Sequence, residues 1–96
     1  MRPSEALAKN IDAVRAIIAR YPVANPRVCG SVARGDDHEG SDVDLLVDST
    51  DRTSLYDIAG LKLDLADLLG SPVDVTTPGS LRPKIRENVL RDARAL

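Results

Sequence analysis

Apolar residues recur at steps of three and four along three parts of the chain, which is the spacing of one helix face. We predict helices over about residues 5–20, about residues 54–69, and from Ser80 to the end of the chain. Between them lie three short apolar runs that are typical of strands: Arg27–Cys29, Val43–Asp48 and Val73–Thr77. A single helical turn is predicted over Ser31–Arg34. Helices alternating with short strands predict an α/β (α+β) fold, with a small three-stranded sheet and flanking helices.

The length and composition fit one domain over residues 1–96 with an aliphatic core, because Phe and Trp are absent. The formal net charge of −2 and the shortage of aromatic residues argue against a free nucleic-acid binder. A lone cysteine, Cys29, excludes an internal disulfide and favours a reducing compartment. No apolar run is long enough to span a membrane, so we expect a cytoplasmic protein.

Acidic residues interrupt two of the predicted strands. Asp42 and Asp44 are one residue apart, and Asp74 lies in the third strand. Because strand side chains alternate between faces, Asp42 and Asp44 share one face, and Asp74 joins them if the two strands are neighbours. Three converging carboxylates would suit Mg²⁺. The alternative is an ordinary solvent-facing surface, but Asp is disfavoured in strands, which favours a site.

A glycine-serine turn precedes these acids. Gly30 and Ser31 follow the first strand and open a helical turn, which directs backbone N–H groups and a hydroxyl at a phosphate. The turn lacks the Gly-Lys-Ser/Thr ending of a Walker A loop. Arg34 could neutralise phosphate charge or anchor the turn by pairing with an acid. We interpret His38 as a solvated loop residue and Cys29 as a buried filler.

The combined motif resembles the polymerase-beta-type nucleotidyltransferase superfamily, and within it the minimal nucleotidyltransferases (MNT proteins). The residues that carry the resemblance are Gly30-Ser31-x-Ala33-Arg34-Gly35, Ser41-Asp42-x-Asp44-Leu45-Leu46-Val47 and Asp74. The resemblance implies a mixed three-stranded sheet and Mg²⁺-dependent transfer of a nucleoside monophosphate from an NTP, with release of pyrophosphate.

The resemblance also implies residue roles. Gly30 and Ser31 would hold the β- and γ-phosphates, with Arg34 and Ser41 beside the nucleotide, Ser41 orienting the acids. Asp42, Asp44 and Asp74 would be the catalytic and metal-binding residues: the first two would bind two Mg²⁺ ions, and Asp74 would complete the site and help deprotonate the acceptor hydroxyl.

Several MNT proteins resemble antitoxins that pair with a HEPN-domain ribonuclease, and some attach AMP to its tyrosine. We therefore expect transfer of AMP from ATP to a protein hydroxyl, a tyrosine of a HEPN toxin, in a type VII-like antitoxin. One alternative is a binding module that neutralises the HEPN partner by masking it. Another is a small-molecule nucleotidyltransferase, although such enzymes generally carry an additional helical domain. So small a chain leaves an open site, which predicts a hetero-oligomer or a homo-oligomer.

Overall fold

Helices and strands follow one another in the predicted order, with one strand more than the sequence indicates. A computed structural model describes all of residues 1–96. The elements are α1 (Pro3–Lys9), α2 (Ile11–Ile18), β1 (Val23–Cys29), α3 (Gly30–Arg34), β2 (Val43–Ser49), α4 (Leu55–Leu69), β3 (Val73–Thr76), a 3₁₀ turn (Pro78–Ser80), α5 (Pro83–Asp92) and β4 (Arg94–Ala95).

The sheet is mixed and has the strand order β3-β2-β1-β4. β2 and β3 are parallel and are connected through α4, whereas β1 runs antiparallel to both β2 and β4. The mixed α+β fold is confirmed, but three strands is the wrong number. The last helix ends at Asp92, and Arg94–Ala95 pairs with β1 instead of continuing it. That pairing depends on a partner almost seventy positions away, so local apolar spacing could not reveal it.

The first predicted helix is divided at Asn10. Asn10 has φ −109° and ψ 18°, outside the helical region, and its side-chain amide donates to the Ala6 carbonyl at 2.8 Å. Such side-chain bonds let Asn compete with the helical ladder. β1 begins earlier than predicted and contains an irregularity. Asn25 has φ 50°, and the register to β2 shifts between Ala24 and Arg27.

The core fills the space between the sheet and helices α1, α2 and α4. Ser54 caps the start of α4: its hydroxyl accepts the Asp57 N–H while the Asp57 carboxylate accepts the Ser54 N–H. Gly70, in the left-handed conformation, caps the other end. It buries one leucine stripe against the side chains of β2 that point to the same side: Leu61, Leu65, Leu69, Val43, Leu45 and Val47. The acids between those valines and leucines therefore face the opposite side of the sheet.

The loop that leads from α3 into β2 is tied to the first helix. The Asp37 carboxylate is buried, at 4% exposure, and its Oδ2 accepts the Ser4 N–H at 2.8 Å. This contact at the start of α1 lowers the pKa of Asp37. The loop is thus positioned from outside the sheet just before the strand that carries Asp44. Along the whole chain, no helix combines the length and apolarity needed to cross a membrane.

Candidate active site

Two carboxylates lie side by side on the face of the sheet away from the main core. Asp44 of β2 is directly opposite Asp74 of β3, and Cys29 of β1 is opposite Asp44 on its other side. Residues directly opposite on neighbouring strands project to the same face. Asp42 lies one residue before β2, and its charge acts on Asp44. The structure therefore brings Asp44 and Asp74 together and leaves Asp42 on the loop that enters β2.

The turn at Gly30 touches the central carboxylate. Gly30 has φ +69°, and a Cβ at this position would collide with Asp44 Oδ2. The turn approaches the acid so closely because Gly30 lacks a side chain and tolerates this backbone conformation. Ser31 follows in the first turn of α3, where the N–H groups of a helix have no intrahelical partners. Polar donors and a carboxylate are therefore adjacent, which is the arrangement needed around a phosphate and its counterion.

No ion pair in the molecule includes Asp42, Asp44 or Asp74. Burial raises the pKa of the Asp44 carboxyl above its ordinary value, and the neighbouring charges of Asp74 and Asp42 raise it further. Arg34 opposes this shift only weakly. The protein by itself thus disfavours the charged form of Asp44, and a cation at this position would reverse that preference.

The carboxylates fit Mg²⁺ as part of a nucleotide complex. No three acidic, histidine or cysteine side chains form a ready-made metal-binding group in the structure. Mg²⁺ commonly takes only one or two protein carboxylates and keeps water and phosphate oxygens in its other positions. Asp44 and Asp74 supply two oxygen ligands of this kind on one face. The predicted cluster of three is not formed, because Asp42 lies before β2 and does not complete a group with them.

A cleft of about 190 Å³ lies in front of the two carboxylates. The residues that line it come from all three long strands and from the end of the chain: Cys29, Gly30, Asp44, Leu45, Asp74, Thr76, Leu81 and Val89. Leu81 and Val89 give the cleft an apolar wall opposite its acidic end. The sequence motif did not indicate these two residues, because Leu81 lies between the 3₁₀ turn and α5, and Val89 belongs to an apolar stripe with the spacing of any core-facing helix.

The other residues considered from the sequence, Arg34, Ser41 and His38, do not contact the carboxylates of the site directly. Arg34 pairs with Asp36 at 3.3 Å and with Asp92 of α5 at 3.2 Å, so in this structure it anchors the turn. The Ser41 hydroxyl accepts the His38 N–H at 3.0 Å, so it stabilises the loop and does not contact the acids that it was expected to orient. His38 itself is exposed.

Cys29 is buried beside Asp44, in the wall of the cleft. Its thiol donates to the Asp44 carbonyl at 3.4 Å. Burial, followed by the charge of Asp44, raises the pKa of the thiol to about 11. The thiolate is therefore almost absent at neutral pH, and this supports the interpretation of Cys29 as a filler and not a nucleophile.

The acids, the glycine-serine turn and the mixed sheet define a nucleotidyltransferase. The model of the nucleotidyltransferase domain family matches residues 11–96, and the chain belongs to this family. Two curated relatives are named as protein adenylyltransferases. One, from Methanocaldococcus jannaschii, is 36% identical over 80% of this chain and 83% of its own. The other, protein adenylyltransferase MntA of Thermococcus cleftensis, is 41% identical over 76% of this chain and 74% of its own.

Solved structures give the same family. A minimal nucleotidyltransferase is 45% identical, with a TM-score of 0.85 over 97% of this chain and 95% of its own. A toxin–antitoxin complex with AMP-PNP contains a chain that is 25% identical, with a TM-score of 0.71 over 92% of this chain and 69% of its own. A third structure is a complex of an MNT antitoxin with a tri-AMPylated HEPN toxin of Shewanella oneidensis. Its matching chain is 20% identical and shares the fold, with a TM-score of 0.64 over 97% of this chain and 70% of its own. The chain is thus a nucleotidyltransferase of the minimal type.

Proposed function

We propose that this protein transfers AMP from ATP to a tyrosine hydroxyl of a HEPN-domain toxin and so acts as an antitoxin. The observation that carries the proposal is the adjacent pair Asp44 and Asp74, set against the turn at Gly30. The relatives named as protein adenylyltransferases support AMP as the transferred group and a protein as the acceptor. The complexes of related chains with toxins support the antitoxin role and a hetero-oligomer with the HEPN partner.

In the proposed reaction the chain's residues bind the triphosphate and position the acceptor. The backbone N–H groups at Gly30 and Ser31, together with the Ser31 hydroxyl, bind phosphate oxygens at the start of α3. Leu81 and Val89 contact the apolar surface of the nucleoside. Asp42 and Asp44, completed by Asp74, would hold Mg²⁺, which supplies the positive charge that neutralises the triphosphate.

Asp74 faces the acceptor at the outer side of this pair. The acceptor oxygen forms a bond to the α-phosphorus while the bond from that phosphorus to the bridging oxygen breaks. The proton of the acceptor hydroxyl passes to the Asp74 carboxylate, and pyrophosphate leaves with the electron pair of the broken bond. This assignment gives Asp44 and Asp74 different tasks, although they occupy equivalent positions on neighbouring strands.

The proposal is tested by co-expressing the chain with a HEPN-domain protein encoded beside it, followed by intact-mass spectrometry of that protein. We expect the mass of one or more AMP groups with the wild-type chain, and none with Asp44→Asn or Asp74→Asn. Asp48→Asn, which changes an acid on the same face of the same strand, is the matched control and keeps the mass increase. Neutralisation of the toxin without added mass would instead establish masking, and labelling that persists in both site variants would reject the proposed chemistry.

A further inference from the structure

Helix α4 carries apolar residues on both of its sides. Its inner leucines fill the core against the sheet. On the outer side Tyr56 is 90% exposed and Leu63 is 68% exposed, and Ala59 between them is exposed as well. These three residues follow at steps of three and four, so they form one stripe, with the exposed Leu55 and the half-buried Ala66 at its edge. A helix that is apolar all round is normally covered on both sides, and so exposed a stripe marks an interaction surface.

A row of carboxylates runs beside this stripe. Asp57, Asp64 and Asp67 follow at steps of seven and three, which places them along one side of α4, between the outer stripe and the inner leucines. None of the three is in an ion pair within the chain. Asp57 and Asp64 accept hydrogen bonds from uncharged donors, so their charges are not neutralised. The single cation of α4, Lys62, lies on the other side of the stripe. The outer face of α4 therefore combines an apolar stripe with an acidic row.

The charges on this face decide between the possible occupants. Two copies of α4 packed antiparallel about a two-fold axis would bring their acidic rows together, because such an axis places equivalent flanks side by side. A parallel pair would set each row of three acids against a single cation, Lys62. Anionic lipid headgroups would be repelled by the same acids. A partner helix that carries Lys or Arg beside an apolar stripe matches both features of the face.

We propose that the outer face of α4 is the docking surface for a basic amphipathic helix of the protein acceptor. This inference rests on the proposed function for its partner, the protein that the chain modifies. The apolar residues of the partner helix pack on Tyr56, Ala59 and Leu63, along about 15 Å of α4. Its Lys or Arg residues lie beside Asp64 and Asp67. Burial of the stripe supplies affinity, and the acidic row fixes the orientation of the partner.

The docking surface and the catalytic cleft lie on opposite sides of the sheet. α4 leads into β3, the edge strand that carries Asp74, so no other strand lies between the helix and this carboxylate on that side of the molecule. The shortest dimension of the molecule is 18 Å, a distance that a folded partner can reach around. Loss of docking should therefore impair the use of a protein acceptor and leave the binding of nucleotide unchanged.

Binding of the whole chain to the HEPN-domain protein encoded beside it, measured by titration calorimetry, tests the apolar stripe. Tyr56→Ser combined with Leu63→Ser removes its two largest side chains, and their exposure means that the fold is kept. We expect the Kd for the HEPN-domain protein to rise at least about tenfold, while the Kd for a non-hydrolysable ATP analogue stays within about twofold. Ile85→Ser combined with Leu90→Ser is the matched control, because these side chains of α5 are also exposed. It should keep both Kd values within about twofold.

A charge reversal tests the acidic row separately. Asp67→Lys should raise the Kd for the HEPN-domain protein about fivefold or more at low salt. The difference from the wild-type chain should shrink toward about 1 M salt, because screening weakens exposed charge pairs. Glu87→Lys makes the same change in net charge on α5, at an exposed acid, and should leave the Kd within about twofold. Equal effects of the two reversals would mean that only net charge matters and would overturn the inference.

The outcomes separate this inference from the function on which it rests. If the wild-type chain labels the HEPN-domain protein and the Tyr56→Ser, Leu63→Ser variant binds and labels it equally well, the inference is wrong while the proposed function stands. A dimer of the chain alone, seen by sedimentation and abolished in that variant, would assign the face to self-association and also overturn it. If the variant loses binding but the wild-type chain adds no AMP, α4 is still the docking surface and the proposed transfer alone fails.

Discussion

Asp44 and Asp48 lie four residues apart on the same face of β2, and their environments are opposite. Asp48 accepts from Arg27 at 3.0 Å and from the Asn25 side chain at 3.3 Å, and these bonds lower its pKa. Asp44 is in no ion pair, and burial together with two neighbouring carboxylates raises its pKa. One strand thus carries an acid whose charge the protein satisfies and an acid whose charge it leaves for a ligand.

The comparison separates stability from activity along one strand. An acid that is supplied with donors within the fold contributes to folding, whereas one that is buried beside like charges opposes folding until a cation arrives. The unfavourable electrostatics at Asp44 are therefore themselves an indication of function. Changing either acid to its uncharged amide should have opposite consequences.

The largest effect is expected for Asp44→Asn. Labelling of the acceptor should fall by about a thousandfold or more, because the amide cannot supply the charge needed beside the triphosphate. The free energy of unfolding at neutral pH should rise, since the fold disfavours the carboxylate. Labelling rates and urea denaturation check the two halves, and a loss of stability would contradict our description of this site.

Gly30→Ala should come next. The new methyl group collides with Asp44 Oδ2, and the backbone has φ +69°. We expect about a hundredfold loss of labelling, because the turn must move away from the carboxylate, and about 1–3 kcal/mol less unfolding free energy. Gly35→Ala is the matched control, since Gly35 has φ +79° but no atoms near the added methyl group. It should lose stability by about 1 kcal/mol through backbone strain and keep labelling within a few-fold.

A smaller change is expected for Asp48→Asn. It weakens the contact with Arg27, whose side chain is 10% exposed, but Asp48 itself is 43% exposed and solvent screens its charge. We expect a loss of less than about 1 kcal/mol in unfolding free energy, with labelling unchanged. Chemical denaturation measures the first and intact mass the second. Loss of labelling would mean that Asp48 belongs to the site after all.

The smallest and most specific effect is on the pH dependence of stability. Asp48, with its lowered pKa, stabilises the fold above its ordinary value of 3.8, and this contribution is lost as the pH falls through the folded-state pKa. Asp44, with its raised pKa, destabilises the fold at neutral pH, and this cost disappears as the pH falls toward 3.8. We would measure the free energy of unfolding of the wild-type chain and both variants between about pH 3 and pH 7. In Asp44→Asn, the rise in stability caused by protonation of Asp44 should be absent. In Asp48→Asn, the fall in stability caused by protonation of Asp48 at lower pH should be absent.

The sequence was most informative where a residue's role depends on its immediate neighbours. Alternation along β2 and β3 is local, so the common face of Asp44 and Asp74 could be predicted once the strands were taken as neighbours. Asp42 lies before β2, where alternation gives no direction. The close approach of Gly30 to Asp44 was not visible as geometry, although the motif named both residues. The two-residue strand β4 was missed, because it exists only through pairing with β1.

Contacts between residues far apart in the sequence could not be predicted. The sequence left open whether Arg34 neutralises phosphate or anchors the turn, and its pairing with Asp92 follows only from the packing of α5 against α3. Val89 of α5, and Leu81 just before that helix, line the cleft as well. No spacing rule connects residues so far apart, so these features required the tertiary arrangement.

The buried contact between Asp37 and Ser4 bears on where this domain can be cut. The family model begins at residue 11, yet the amide that satisfies Asp37 lies upstream of that boundary. A fragment trimmed to the family boundary would carry every acid of the site but would leave the Asp37 carboxylate without its donor. The smallest useful expression fragment therefore includes the first helix.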